Sequence, residues 1–290
     1  MLERMNTFLT VVKTQSFTKA AQQLNMTQPG VSQQMKYLEE YYGAELFQKK
    51  GRYIELTEAG KVFQEYAIKI KSLERQLFQS IQDIQSKTET YRLGATMTIG
   101  GYVLPYILEG YHRVNSQVDL ILYVHNTEMI LKQLTNGDIQ LAVVEGPFDK
   151  SKFHYTKWKD DELLLACSPQ HPFAKKEMLT LQEILQGKLI LREPGSGTRQ
   201  AIENAFLQQG YSLDPLKGHM EIGSMSAIIS LVEANMGYTI LSTEAVKKEV
   251  ERESVLLKPV ADMKIQREFN FVYLETHSFI DSFVSFCRKY

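Results

Sequence analysis

The sequence has little cysteine, no long apolar run and no excess of one charge. Cys167 and Cys287 are its two cysteines in 290 residues, too few for a disulfide framework. We interpret both as small buried hydrophobic residues in a reducing compartment. No apolar stretch approaches the roughly 18 residues that a membrane span requires, and the start of the chain is an amphipathic pattern without a leader. We therefore expect a cytoplasmic protein with no membrane partner.

The charge balance and the motifs that are lacking exclude further classes. Lysine and arginine number 33, aspartate and glutamate 34, so any signal for a nucleic-acid partner has to be local. The six histidines are scattered, and none has metal-ligand spacing to a cysteine or another histidine. Neither a Gly-x-Ser-x-Gly motif nor a phosphate-binding loop occurs. We expect no metal, no cofactor and no enzymatic activity.

The first sixty residues have the pattern of three helices. Apolar residues at helical spacing, beginning with Leu2, predict the first helix. Ser16 and Thr27 are suited to cap a second and a third. Pro29 is tolerated in the first turn of the third helix, which extends to about Tyr42. Two short helices joined by a three-residue turn predict a helix-turn-helix.

The third helix has an apolar face, with Val31, Met35 and Leu38, and a polar face. The second helix of a helix-turn-helix lies in the major groove, where the amides of Gln28 and Gln33 suit adenine edges. Hydroxyl and ammonium groups suit phosphates. The alternative is a solvated face on helices that only pack together. The predicted DNA contacts are Thr27, Gln28, Pro29, Ser32, Gln33 and Lys36.

A β-hairpin is predicted next, turning at Gly51 with Ile54 and Leu56 directed inward. Its tip is basic. We interpret it as a wing that contacts backbone phosphates beside the recognition helix. The predicted contacts of the wing are Lys49, Lys50 and Arg52.

From residue 58 to about 88 the sequence has no proline, and Gly60 near the start is its one glycine. Apolar residues recur at alternating three- and four-residue steps, which predicts a long helix that pairs with another helix. A dimer fits, because a helix-turn-helix commonly acts as a symmetric pair. The alternative is a helix packed on its own domain. The predicted seam consists of Phe63, Tyr66, Ile70, Leu73, Leu77, Ile81 and Ile84.

After residue 90 short apolar runs alternate with helical patterns, which predicts an α/β fold with a mostly parallel sheet. Ligands of such sheets bind at the carboxyl ends of strands, against helix N-termini. The acidic stretch at 160–162 is interpreted as a solvated hinge. Predicted strands cover 92–95, 119–124, 141–144, 163–166, 189–191, 220–222, 238–241 and 270–274.

Three strand-to-helix junctions, at 96–101, 192–199 and 223–227, offer hydroxyls and backbone N–H groups. The positive end of a helix dipole favours anions there, and Arg192 and Arg199 would add bidentate geometry for a carboxylate, sulfate or phosphate. Any one junction alone could be an ordinary helix cap. The predicted effector contacts are Thr96, Met97, Thr98, Arg192, Ser196, Thr198, Arg199, Met225 and Ser226.

Specific motifs stand at both ends of the helix-turn-helix region: Ser16-Phe17-Thr18-x-Ala20-Ala21-x-x-Leu24, Thr27-Gln28-Pro29-x-Val31-Ser32, and Leu56-Thr57-Glu58-Ala59-Gly60. Together they resemble the LysR-type transcriptional regulators. That family usually has Arg or Lys where Gln33 stands and Arg where Lys49 stands. These departures leave DNA binding expected, with slightly weaker salt-dependent contacts and without the bidentate fork of arginine.

The later motifs include Gly94-Ala95-Thr96-x-Thr98 and Gly237-Tyr238-x-Ile240-Leu241-Ser242. They are similar to the branch with CysL-like sulfur-metabolism and CbbR-like carbon-fixation regulators. The resemblance implies an α+β multidomain chain: a winged helix-turn-helix (1–58), a linker and dimerisation helix (59–88) and an effector-binding domain (89–290) like a type 2 periplasmic binding protein. Subdomain 1 would span about 91–161 and 267–290, and subdomain 2 about 162–266, with crossings near 160–162 and 264–267.

The same resemblance implies a function. It implies a transcriptional activator more than a pure repressor, with double-stranded promoter DNA, RNA polymerase and a small-molecule effector as partners. It does not specify the effector, for which we expect a small anionic metabolite of sulfur or central carbon metabolism. It implies paired linker helices in a homodimer or homotetramer. A solute-binding component and an enzyme with a DNA-binding appendage are the rival interpretations.

Overall fold

The computed structural model describes residues 1–50, 53–86, 89–213, 219–261 and 263–290. The chain forms two compact units, Met1–Lys87 and Thr88–Tyr290. Within the described ranges, no helix combines the length and apolar character needed to cross a bilayer.

The first unit is a helix-turn-helix with a hairpin and a long helix. Ser16 accepts a hydrogen bond from the Lys19 amide, and Thr27 accepts one from the Gly30 amide. Both caps satisfy amides that have no partner within the helix. The elements are α1 (Leu2–Thr14), α2 (Phe17–Gln23), α3 (Gln28–Tyr42), β1 (Phe47–Lys50), β2 (Tyr53–Leu56) and α4 (Glu58–Ser86).

The core of this unit is centred on Phe8, which is fully buried and meets the Phe63 ring of α4 edge-on at 4.7 Å. The apolar face predicted for α3 is buried, as its Val31, Met35 and Leu38 show. The apolar stripe of α1 is exposed at its first residue. Leu2 is 43% exposed and Val11 is fully buried, because Leu2 begins the helix and extends beyond the partners that cover its centre.

The hairpin is antiparallel, with Phe47 paired to Leu56 and Lys50 to Tyr53. Phe47 and Leu56 pack against the core of the helix-turn-helix. Ile54 is half-buried and lies outside that cluster. The predicted turn at 51 lies outside the described residues.

Helix α4 has two parts, which corrects the expectation of one continuous seam. Phe63 and Ala67 are buried in the core of their own unit, and Ile70 packs against it. The predicted seam is therefore divided. Phe63 and Ile70 pack against the core of their own unit, because α4 lies along α1 near its start, and the later seam residues are exposed. On the other side of its start and along its further course α4 has exposed large apolar side chains, among them Tyr66, Leu73, Leu77, Phe78, Ile81 and Ile84.

The second unit alternates strands and helices. Its strands are β3 (Glu89–Thr96), β4 (Val118–His125), β5 (Leu141–Glu145), β6 (His154–Cys167), β7 (Leu189–Leu191), β8 (Met220–Glu221), β9 (Tyr238–Ser242), β10 (Leu256–Lys258) and β11 (Ile265–Tyr273). Its α-helices are α5 (Leu104–Val114), α6 (Thr127–Thr135), α7 (Leu181–Gln186), α8 (Gly197–Gln208), α9 (Met225–Glu233), α10 (Lys247–Glu251) and α11 (Ser278–Cys287). Shorter helical turns are a π-helical one at Ile99–Val103 and 3-10 ones at Pro172–Lys175 and Thr243–Val246.

The strands form one sheet in the order β4-β3-β5-β11-β6-β9-β7-β8, with β10 beside β6. Pairs β3–β4, β3–β5, β7–β8 and β7–β9 are parallel. Pairs β5–β11, β6–β11, β6–β9 and β6–β10 are antiparallel. The expectation of a mostly parallel sheet is therefore wrong. The sheet is mixed because β6 crosses between its two halves and β11 returns beside it.

The two halves have separate cores. In the first half, α5 and α11 cover one face of the sheet near Phe271, and α6 covers the other near Val144. In the second half, clusters around Ile240 and Ile228 cover the two faces. Strands β6 and β11 join the halves, and Asp161 pairs with Arg267 where they run side by side.

Candidate functional site

The polar face of α3 is available to a partner. Opposite the buried face, Ser32 is half-buried and the other predicted contacts of this helix are exposed. The exposed residues are Thr27, Gln28, Pro29, Gln33 and Lys36.

A predicted base contact, Gln28, and a predicted phosphate contact, Ser32, are hydrogen-bonded to each other. The Gln28 Nε2 donates to the Ser32 Oγ over 2.8 Å, one helical turn away. This bond fixes the orientation of the amide, so its oxygen remains the acceptor. Lys36 lies 3.7 Å from Glu40, and both side chains are exposed.

The hairpin places further positive charge on the surface of this unit. Lys49 is exposed, and Lys50 lies 3.2 Å from Glu55. Exposed ion pairs contribute little stability, so a phosphate can replace the carboxylate at small cost. Arg52 lies outside the described residues.

A buried guanidinium joins the two halves of the second unit. Arg267 Nε donates to Asp161 Oδ2 over 2.7 Å, and its Nη1 donates to Thr198 Oγ1 over 2.8 Å. Its Nη2 lies 3.5 Å from Thr98 Oγ1. Ser242 Oγ donates to the second Asp161 oxygen over 2.5 Å. The structure thus brings together two predicted residues, Thr98 from the first half and Thr198 from the second.

The interpretation of 160–162 as a solvated hinge is wrong for its central residue. Asp161 is 3% exposed, whereas Asp160 is exposed and Glu162 is half-buried. The three residues lie in a continuous strand, whose side chains alternate between its faces. Asp161 therefore points into the interior beside Arg267. No local pattern signals this burial, because Arg267 lies 106 residues further along the chain.

Glu145 ends β5 and is also buried, a residue that sequence reasoning missed. Its Oε1 lies 3.8 Å from Arg267 Nη1, and its Oε2 has no hydrogen-bond partner in the described part of the chain. Burial raises the pKa of Glu145, Arg267 and Arg192 oppose this, and the negative charge of Asp161 adds to it. A carboxyl in such a place favours its neutral form.

The two predicted anion-binding arginines are already paired. Arg192 is buried and makes a bidentate contact with Glu193, at 2.8 and 2.9 Å. Arg199 donates to Glu203 over 2.7 Å and to Glu221 over 2.5 Å. A ligand anion would therefore have to compete with these carboxylates for the two guanidinium groups.

The halves approach each other closely at two glycines. Gly146 has a φ of +89°, and a Cβ on it would lie 2.8 Å from the Gly197 Cα. A Cβ on Gly197 would lie 2.2 Å from the Glu145 carbonyl oxygen. Glycine is therefore required at both positions for the N-terminus of α8 to rest on the end of β5.

Two hydrogen bonds span the same contact. The Gly197 amide donates to Thr127 Oγ1 over 3.1 Å, and the Glu128 amide donates to the Gly195 carbonyl over 3.3 Å. We call these two bonds the latch. They connect the start of α6 in the first half with the start of α8 in the second, so the cleft is closed over the Arg267 cluster.

Outside the latch lies a cavity of about 430 Å³. Thr127 and Ser196 line it, together with Arg199 and the carboxylates of Glu128 and Glu203. Pockets of this size hold small ligands.

The remaining predicted effector residues have mixed positions. Thr96 is buried, and its hydroxyl has no hydrogen-bond partner among the described residues. Met97 is half-buried. Met225 packs in the apolar cluster around Ile228, and Ser226 is exposed. Among the described residues, no three His, Cys, Asp or Glu side chains are grouped to hold a metal ion.

Comparison with known families and proteins gives consistent matches. Residues 2–61 match the family of bacterial regulatory helix-turn-helix proteins, lysR family, and residues 85–290 match the LysR substrate binding domain. An HTH-type transcriptional regulator of Methanocaldococcus jannaschii is 34% identical over 290 residues, covering 98% of this chain and 97% of that protein. The HTH-type transcriptional activator CmpR of Synechocystis sp. is 33% identical over 273 residues, covering 94% and 88%.

A solved structure shows the fold of the second unit. The regulatory domain of CcmR from Synechocystis PCC6803, solved in complex with 2-PG, is similar with a TM-score of 0.62 and 23% identity. The match covers 69% of this chain and 96% of that domain.

Replacing Gly197 by alanine tests the contact between the halves. Because the added Cβ meets backbone, we expect Gly197→Ala to destabilise the closed cleft by about 1–3 kcal/mol, measured by faster hydrogen exchange of the Glu128 amide. Gly101→Ala is the control, since a Cβ there meets nothing within 4 Å. Equal exchange in both variants would show that the contact does not hold the cleft.

Proposed function

Because the chain belongs to the LysR family of transcriptional regulators, we propose that a small anionic metabolite, bound in the cleft, modulates its binding to promoter DNA. We further propose that it acts in the cytoplasm as a homodimer or homotetramer. Members of the family are regulators and not enzymes. The observation that carries the effector part is the buried Arg267, which bonds residues of both halves.

The DNA-binding part of the proposal rests on the first unit. The recognition helix α3 has its apolar face buried and its polar face exposed. Gln28, fixed by Ser32, presents an amide to base edges. Lys49 and Lys50 on the hairpin supply charge for the backbone.

The oligomeric part rests on α4. Its exposed apolar residues, such as Leu73, Leu77 and Ile81, form a surface larger than scattered single residues would. A second copy of the same helix would bury them. We propose 59–88 as the dimerisation segment between a DNA-binding domain (1–58) and an effector domain (89–290). Two subdomains, about 91–161 with 267–290 and about 162–266, would enclose the effector.

The proposal of an anionic effector rests on the charged groups in the cleft and on the closed form of the cleft. A negatively charged group that enters the cleft meets the Arg267 and Arg192 guanidinium groups and the hydroxyls of Thr98 and Thr198. A ligand that prefers the closed form by a few kcal/mol is enough to reset the population. CcmR with the same fold is known in complex with 2-PG, which makes 2-PG a reasonable first probe.

The sign of regulation comes from the named relative. CmpR is an HTH-type transcriptional activator, and we propose that this protein also activates. We propose RNA polymerase as the further partner. The regulator would contact it when the effector changes the arrangement of the dimers on DNA.

Substitutions on α3 test DNA binding. Gln28→Ala and Ser32→Ala are each expected to weaken binding to a palindromic site in the protein's own upstream region by about 1–3 kcal/mol. Gln28→Ala removes a base contact, and Ser32→Ala removes a phosphate contact together with the hydroxyl that orients Gln28. Gel-shift titration at fixed salt measures this, and the response to 2-PG by thermal shift stays intact. Gln82→Ala, an exposed glutamine of α4, is the control. The proposal fails if no specific, salt-sensitive shift is seen with the wild type.

Substitutions in the cleft test the effector site. Thr98→Ala, Ser196→Ala and Thr198→Ala are expected to abolish the thermal shift produced by the active member of a panel of small anions, including 2-PG, sulfate and phosphate. DNA binding remains. Thr135→Ala is the control, because its hydroxyl bonds only its own helix at Leu131. If all three variants retain the response, the site lies elsewhere.

Substitution on α4 tests the oligomer. Leu77→Lys with Ile81→Lys puts two charges in the proposed seam, and we expect dissociation to monomers in sedimentation equilibrium. Burial of such side chains contributes about 1.5–3 kcal/mol each. Gln82→Lys adds a charge on the opposite side of the helix and keeps the oligomer. A monomeric wild type, or an unchanged mass in the double variant, contradicts this assignment.

A further inference from the structure

The charges at the centre of the cleft do not balance. Two guanidinium groups, those of Arg267 and Arg192, stand against the carboxylates of Asp161, Glu193 and Glu145. Arg267 Nε donates to Asp161, and Arg192 makes a bidentate contact with Glu193. Glu145 is the surplus carboxylate. It lies 3.8 Å from the Arg267 Nη1, beyond hydrogen-bonding range.

Neighbouring charged groups are engaged away from Glu145. Lys159 on β6 donates to Glu244 over 3.0 Å. Arg199 on α8 donates to Glu203 and Glu221. On the side of β3, the group that faces Glu145 is the Thr98 hydroxyl, which carries no charge. Charge compensation for an ionised Glu145 is therefore incomplete in the closed cleft.

The contact between the two halves includes the residue that carries this buried carboxyl. Glu145 is 2% exposed, and Gly197 at the start of α8 rests on its carbonyl oxygen. Its Oε2 has no hydrogen-bond partner among the described residues. Separation of α8 from β5 would admit water to the carboxyl, and water stabilises its ionised form.

We infer that closing of the cleft takes up a proton at Glu145, so that the closed form is favoured at low pH. The proton neutralises the surplus carboxylate, so that Asp161 and Glu193 balance Arg267 and Arg192, and an entering anion meets one negative charge fewer. The inference rests on the proposed function only in taking the cleft to be the effector site. The cleft then responds to an acidic metabolite and to pH together.

The direction of the pH dependence follows from the pKa of Glu145 in the closed and in the open form. Burial raises the pKa of Glu145 in the closed form, whereas in the open, hydrated form the pKa is near the ordinary value for glutamate. Below the open-form pKa the closed form is fully favoured. As the pH rises above it, the ratio of closed to open form falls by up to tenfold per pH unit, until the closed-form pKa is reached.

Amide hydrogen exchange on the full chain, without DNA or ligand, tests the inference. The readout is the protection of the two latch amides, Gly197 and Glu128, between about pH 5 and pH 9, a range in which buried glutamates titrate. Rates are corrected for intrinsic chemical exchange at each pH. We expect protection in the wild type to fall by up to tenfold per pH unit over part of this range.

Variants separate Glu145 from other titrating groups. Glu145→Gln keeps the shape of the side chain and cannot titrate, so its protection should be independent of pH. Asp160→Asn removes an exposed carboxylate of β6 and should follow the wild type. Protection in the wild type that does not change with pH overturns the inference, as does a profile shared by the wild type and Glu145→Gln.

Failure of this inference is distinguishable from failure of the proposed function. If protection of the latch amides is independent of pH, and the protein still binds DNA specifically and responds to an anion, only the inference of proton uptake is rejected. A pH-dependent latch that Glu145→Gln abolishes, in a protein without DNA binding, supports the proton uptake and removes the regulator function. Should Glu145→Gln fail to fold, a wild-type protection that does not change with pH still overturns the inference.

Discussion

The second unit depends on one buried ion pair, that of Arg267 with Asp161, where β6 and β11 run side by side between the two halves. Each charge is out of contact with water, so each requires the other; removing one partner of such a pair costs about 3–5 kcal/mol. The remaining groups of the cluster are oriented by this pair. Ser242 and Thr198 fix the second half to it, and Thr98 fixes the first. Closure of the cleft is therefore a property of side chains on the crossing strands as much as of the latch.

This arrangement determines what kind of ligand binding is possible. The guanidinium groups of Arg267 and Arg192 already have carboxylate partners. An anion that entered the cleft would therefore replace a carboxylate of the protein and would not bind an unpaired guanidinium group. The net free energy is then the difference between two similar interactions, and selectivity depends on geometry more than on total charge. Because both guanidinium groups are paired in the closed cleft without ligand, the proposed effector would shift an existing equilibrium between forms of the cleft.

Local sequence patterns predicted helix caps and buried faces correctly. They did not predict the pairing of strands that are distant in the sequence. The caps Ser16 and Thr27 and the buried face of α3 are decided within a few residues, and the structure has them as expected. The burial of Asp161 depends on a strand that begins about a hundred residues later (the pair is 106 residues apart), which no local period reveals. The same limit explains why a mostly parallel sheet was expected. The divided seam of α4 was missed because a period shows which residues share a stripe and not which partner covers it.

The divided α4 has a mechanical consequence within the first unit. Phe63 packs on Phe8, Lys71 donates to Asn6 over 2.8 Å, and a Cβ on Gly60 would lie 2.1 Å from the Leu46 carbonyl oxygen. The start of α4 is thus bound to α1 and to the hairpin through a packed core, and such cores deform little. A rotation of the exposed end of α4 would carry α3 with it as one body. In the proposed dimer, the angle between the two α4 helices would then set the spacing of the two recognition helices, which has to match the spacing of the two half-sites in a palindromic site.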